Sequence, residues 1–269
     1  METLREYWSA KVLLILFIFF TLWWLYMTIF LPKDNPLYAY YGNYYGVIAL
    51  WGGIWGLLIS RHWGRLKSIM GKALIMLALG LFAQEFGQVA YSYYIFVLKI
   101  AIPYPSIGDV GFFGTIPFYI CAAFLIGKAS GVKFSFKSFT SKLQVVLLPL
   151  AILAIVYFTI LKSYPLNFTA PIETFLNFGY PTGQAIYISL ALLTYILTRN
   201  LLGGVMKPKI LFLIIAFSSQ FLADYLFIYF KNQYYPGSIL DYMYVLAYFL
   251  MAFAILQFQT VLDKLKSTK

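Results

Sequence analysis

The sequence predicts an all-α polytopic membrane protein with eight transmembrane helices, arranged as two tandem four-helix repeats in parallel orientation. Three observations predict it. Hydrophobic residues make up 62% of the chain and charged ones only 11%, against roughly 25% charged in a soluble domain. Eight apolar stretches are each long enough, at ~1.5 Å per helical residue, to cross ~30 Å of hydrocarbon. A motif also returns: Ser106-Ile107-Gly108-Asp109 is echoed by Ser238-Ile239-Leu240-Asp241, each at the start of a long apolar run.

The spans fall near 12–31, 43–60, 73–98, 107–127, 143–162, 178–198, 209–230 and 239–261. Residues 1–132 form the first repeat and 133–269 the second, together one integral membrane domain. Four is even, so both repeats enter the bilayer the same way round, related by a pseudo-twofold axis along the membrane normal. The first span is read as retained, because it is long, holds Trp23 and Trp24 mid-way, and lacks a small-x-small cleavage site before Pro32. Pro117 is expected to bend the fourth span, and Pro149 the fifth near its inner end.

Charge orients the bundle. The net charge is +11, yet of the twenty Lys and Arg residues all but Lys33, Lys99, Lys162 and Lys231 fall on the side holding both termini. The positive-inside rule then puts both termini in the cytoplasm of a cell-membrane protein. These basic residues set topology and meet anionic lipid. No basic stretch is long enough to track a phosphate backbone, so no nucleic-acid partner is expected. A single Cys121 gives no intrachain disulfide. With His62 alone beside it, no nitrogen- or sulfur-ligated metal and no cofactor is expected.

The two sets of connections differ. Inner ones are short and basic, as in Arg61-His62-Trp63-Gly64-Arg65-Leu66-Lys67 and from Lys128 to Lys142. Outer ones are crowded with Tyr, Pro and Asn: residues 38–45 hold five tyrosines, and Pro103-Tyr104-Pro105 and Tyr234-Tyr235-Pro236 precede the fourth and eighth spans. Such tyrosines form an interfacial belt or line an outer vestibule. Asn167-Phe168-Thr169 matches a glycosylation sequon on that side.

Polar groups inside the spans are the candidate site. Glu85 and Asp224 lie deepest, where an ionised carboxylate costs about 2.5–3.5 kcal/mol on insertion scales. Gln84 and Gln88 share a helix face by four-residue spacing, and Gln220 and Asp224 repeat that pattern at the offset of the second half. Tyr91 and Tyr225 flank them. The competing role is helix glue, in which such groups bond across helices for roughly 0.6–2 kcal/mol each. Asp109 and Asp241 follow Ser by three positions, the spacing of a capping box; a rim that binds a cation is the alternative. The candidate ligand-binding set is therefore Gln84, Glu85, Gln88, Tyr91, Asp109, Gln220, Asp224, Tyr225 and Asp241, with catalytic residues unassigned.

The stretch from Pro105 to Phe113 and that from Tyr235 to Tyr244 resemble the multi-helix membrane sensory regions that precede bacterial diguanylate cyclase, phosphodiesterase and histidine kinase domains. Those regions carry Pro-Ser-x-x-Asp entering one helix and Gly-Ser-x-x-Asp entering the last. The resemblance implies a sensor. It departs from that pattern in having no output domain after the last span, so a cytoplasmic signalling partner is expected.

Three functions follow as expectations. The leading one is a sensor or ligand-binding protein that takes a small external or membrane-borne molecule between the repeats. The second is a proton-coupled transporter that relays protons through Glu85 and Asp224. The third is an intramembrane lipid-modifying enzyme, with a span count like that of the lysoplasmalogenase family.

Overall fold

The computed structural model of the chain describes residues 2–130, 139–164, 166–198, 206–230 and 233–267. Among the described residues the fold is all-α, 86% helical with no strand. The helices are α1 Glu2–Glu6, α2 Trp8–Phe30, α3 Pro36–Tyr44, α4 Val47–His62, α5 Ile69–Ser92, α6 Ile107–Ala129, α7 Phe139–Thr159, α8 Pro171–Thr198, α9 Met206–Tyr229 and α10 Ile239–Ser267.

Local chemistry sets the boundaries. Helix α2 stops before Pro32, which biases Leu31 to its extended conformation. Helix α3 starts on Asn35, whose Oδ1 accepts the Leu37 N–H at 3.0 Å, with Pro36 in the first turn. Just past the end of α4, Gly64 adopts a left-handed φ of 85°. Ser68 then opens α5 by accepting the Gly71 N–H at 2.8 Å. Helix α5 runs into a π-helical turn, Tyr93–Leu98. Helix α6 continues through Pro117 without interruption.

Among the described residues, six helices are long and apolar enough to cross a membrane: α2, α5 with its π-turn, α6, α7, α9 and α10. The sequence reading also expected spans at 43–60 and 178–198. The first corresponds to α4, which is short at 16 residues. The second falls within α8, where Asn177, Tyr180 and Gln184 dilute the apolar character. The boundary expected at 132 and 133 lies outside the described residues.

Helices α4, α5, α6, α8, α9 and α10 pack in that order into a closed ring, α10 returning to α4. Helix α2 lies outside against α10 and α4, and α7 outside against α8. Burial agrees: the membrane window of α10 is 56% buried and that of α5 50%, against 17% for α2 and 11% for α7. Short helix α1 is tied to the far end of α10 by Thr3 and Thr260, 3.2 Å apart, and by the Tyr7 hydroxyl donating to Asp263. The Trp63 indole N–H donates to the Phe258 carbonyl at 3.1 Å, fixing the same end to the α4–α5 connection.

The α5–α6 hairpin is the tightest packing in the ring, and small residues make it possible. A Cβ on Gly111 would sit 2.5 Å from the Ala83 carbonyl oxygen and 2.6 Å from the Gly87 nitrogen, both backbone atoms that cannot swing aside. Gly114, one turn on, would meet nothing nearer than 4.0 Å. Gly111→Ala should therefore lower stability by about 1–3 kcal/mol, the cost of overpacking. Gly114→Ala should hold it or raise it, since alanine loses less backbone freedom in a helix. Unfolding midpoints of the two purified variants, measured side by side, check this contrast.

Candidate functional site

The ring encloses a cavity of about 560 Å³, within the range of small-molecule sites. Its wall draws on α5, α6, α8, α9 and α10, on the end of α3 and on Tyr45 beyond it. The connections that reach it, through Ile102, Pro103, Tyr104, Tyr164, Tyr234 and Pro236, all belong to the end where α6, α8 and α10 begin.

Two acids guard that end, each held by a tyrosine from the other sequence half. Asp109 Oδ2 accepts the Ser106 backbone N–H at 2.7 Å and the Ser106 hydroxyl at 3.0 Å, forming the capping box of α6. Its Oδ1 accepts the Tyr180 hydroxyl of α8 at 3.0 Å. Asp241, in the first turn of α10, accepts the Gly237 N–H at 2.6 Å and the Tyr45 hydroxyl at 3.4 Å, with the Tyr234 hydroxyl at 3.5 Å. The Ser238 hydroxyl has no bond, so the second cap has slipped by one residue onto Gly237, whose φ of 74° turns its N–H toward the carboxylate. Tyr104 and Tyr234, in the connections, have hydroxyl pKa values pushed above the ordinary tyrosine range by burial first and then by the charge of Asp109 or Asp241. Both hydroxyls therefore stay protonated as donors. Tyr104 donates to Asn177 Oδ1 at 2.8 Å.

A third acid lies deeper. Asp224 of α9 is half-buried on the wall, accepting the Tyr244 hydroxyl at 2.9 Å and the Gln220 amide N–H at 3.0 Å. Tyr248, one turn beyond Tyr244, donates to Gln84 Oε1 at 2.9 Å. Gln220 Oε1 and the Tyr187 hydroxyl, both on wall residues, have no hydrogen-bond partner. Gln84 and Gln220 bond to Tyr248 and Asp224 respectively, not to each other.

Seven of the nine candidates thus line one cavity: Gln84, Gln88, Tyr91, Asp109, Gln220, Asp224 and Asp241. Glu85 and Tyr225 do not. Glu85 turns toward Gly46 at the start of α4, where a Cβ would lie 2.1 Å from its Oε2, and that oxygen is buried without a partner. Tyr225 stacks along α9 with Phe221 and Tyr229. Each follows a wall residue by one position, and one helical step rotates a side chain by roughly 100°.

The sequence reading passed over Tyr45, Tyr180, Gln184, Tyr187, Tyr244 and Tyr248, all on the wall. Spacing held the signal. Asp241, Tyr244 and Tyr248 follow a helical face, as do Tyr180, Gln184 and Tyr187. Outer-end tyrosines read as an interfacial belt or as vestibule lining, and neither reading singled these out.

Among the described residues, the wall carries Asp109, Asp224 and Asp241 with no Lys, Arg or His. No group of three or more His, Cys, Asp or Glu side chains among the described residues could hold a metal ion. The chain matches no family model, no curated protein and no solved structure. The resemblance to sensory regions therefore rests on the motif residues alone.

The two tyrosine bonds across the halves invite a direct comparison. Removing a hydroxyl that donates to a carboxylate costs about 1.5–3 kcal/mol, and the Tyr180 bond is shorter than the Tyr45 bond. Tyr180→Phe should lower the thermal midpoint of the purified protein more than Tyr45→Phe does. An equal or reversed order would show that bond length does not rank the two anchors.

Proposed function

We propose that the protein is a multi-pass membrane sensor that binds a small amphipathic molecule in the cavity of the helix ring. The observation that carries this reading is a ligand-sized hollow whose wall is shared by both sequence halves and is braced between them by Tyr45–Asp241 and Tyr180–Asp109. An occupant touching both halves has a mechanical hold on how they sit.

In this reading α4 and α8 also cross the bilayer, giving eight spans in two four-helix repeats with both termini in the cytoplasm. Packing supports the repeat. The α4–α5 contact has its counterpart in α8–α9, α5–α6 in α9–α10, and α6–α8 in α10–α4. The charge bias supports the orientation, which opens the cavity to the outside. Binding is then reported at the inner end of α10, where α1 and Trp63 are fastened, to a cytoplasmic signalling partner. A carrier needs access from both faces, whereas the connections lining this cavity all lie at one end. That asymmetry favours sensing over transport.

A ligand that binds only the folded state raises its stability, by ~2.7 kcal/mol at a hundredfold excess over Kd. Screening short-chain amphiphiles against the full chain in maltoside micelles should yield compounds that raise the unfolding midpoint saturably. Ile228→Trp, which fills the cavity from α9, should abolish those shifts. Shifts that persist undiminished in the filled variant would place binding elsewhere and sink the proposal.

A further inference from the structure

The chemistry of the wall goes one step further, resting on the reading of this cavity as a binding site. We propose that its occupant carries an ammonium group, seated at Asp224, with an apolar chain extending along α6 and α9.

The three wall acids are not equivalent. Asp109 and Asp241 are buried in first turns of helices, each with three hydrogen bonds: Asp109 from the Ser106 N–H and hydroxyl and the Tyr180 hydroxyl, Asp241 from the Gly237 N–H and the Tyr234 and Tyr45 hydroxyls. Their carboxylates are committed to holding helix ends. Asp224 has two donors, Gln220 and Tyr244, and a carboxylate offers about four lone-pair positions. It is also the more exposed of the three, and that exposure is to the cavity. Beside it Gln220, only 1% exposed, keeps Oε1 without a donor. Two acceptors with spare capacity, on adjoining turns of one helix, call for an occupant that donates.

The surroundings fit the same chemistry. Tyr244 donates to Asp224 at 2.9 Å, and Tyr187, Tyr244 and Tyr248 line the cavity with it. Tyr119 and Tyr187 meet edge to face at 5.8 Å, and Tyr244 and Tyr248 lie 6.0 Å apart. Aromatic rings grouped about an acid are the setting in which organic cations bind, through the negative faces of the rings. Among the described wall residues, no cation competes for Asp224. Beyond this polar corner, Phe112 and Ile116 of α6 and Phe227 and Ile228 of α9 offer apolar surface for a chain.

The test uses the full chain in maltoside micelles with four probes of one chain length: octylamine, octyltrimethylammonium, octanol and octanoate. Competition against radiolabelled octylamine gives relative affinities. Octylamine should bind saturably, on the order of tenfold or more tighter than octanol or octanoate. Octyltrimethylammonium, which carries the charge but has no N–H, should fall between. Asp224→Asn should erase the preference for the cations, and Tyr187→Leu should weaken octylamine more than Tyr187→Phe does. Because Asp224→Asn also removes an internal acceptor, the probe series on the unaltered chain decides the matter even where that variant fails to fold.

If octanol or octanoate binds as well as octylamine, and Ile228→Trp blocks both, the ammonium assignment is overturned while the cavity site stands. If no probe binds saturably, or binding survives Ile228→Trp, the cavity reading itself fails and takes the assignment with it.

Discussion

A carboxylate inside a lipid-embedded bundle has no bulk water to solvate it, so every lone pair must be met by the protein or its ligand. Placing one there costs several kcal/mol unless donors are in position. This constraint organises the ring. Asp109 and Asp241 each draw donors from their own helix start and one tyrosine from the opposite half. The acids that cap α6 and α10 therefore also lace the halves together. The cavity lies between those lacings because that is where the tyrosines must reach across.

The all-helical fold was readable from the sequence because lipid leaves little choice: backbone groups must be satisfied within each segment. Helix positions followed from apolar runs, and α2, α5, α6, α7, α9 and α10 begin and end near where those runs do. Helices α4 and α8 show where that signal weakens. Lining the polar cavity takes Asn177, Tyr180 and Gln184 into α8, and each lowers the very hydropathy by which a span is recognised.

The site was legible in part, for a geometric reason. Repetition marked Asp109, Asp241, Gln84, Gln88, Gln220 and Asp224, and all six share the cavity wall. Depth alone marked Glu85, and depth says nothing about facing. Gln84 and Gln88 fix the inward face of α5, so Glu85 turns away toward α4 and Gly46. Helical phase would have separated the two. The tyrosines were hidden by abundance: among 24 of them in the chain, those that donate to an acid look the same as those that sit in headgroups.

Under the proposed repeat, the two halves present different walls to the cavity. Where α5 presents Gln88, α9 presents Asp224; where α6 presents Phe112 and Ile116, α10 presents Tyr244 and Tyr248 at the corresponding positions. Backbone packing pairs alike across the ring, α6 against α8 as α10 against α4, so the divergence is in side chains and not in frame. A symmetric wall would hold an occupant in two equivalent orientations. Unequal walls remove that degeneracy: Gln220, Asp224, Tyr244 and Tyr248 make one polar corner, Phe112, Ile116, Phe227 and Ile228 offer apolar surface, and a molecule with unlike ends has one way to lie. In the proposed sensor, an occupant held in one orientation would pull on the two halves unequally, and α10, latched at its far end by Thr260 and Asp263, would carry that inequality as a lever.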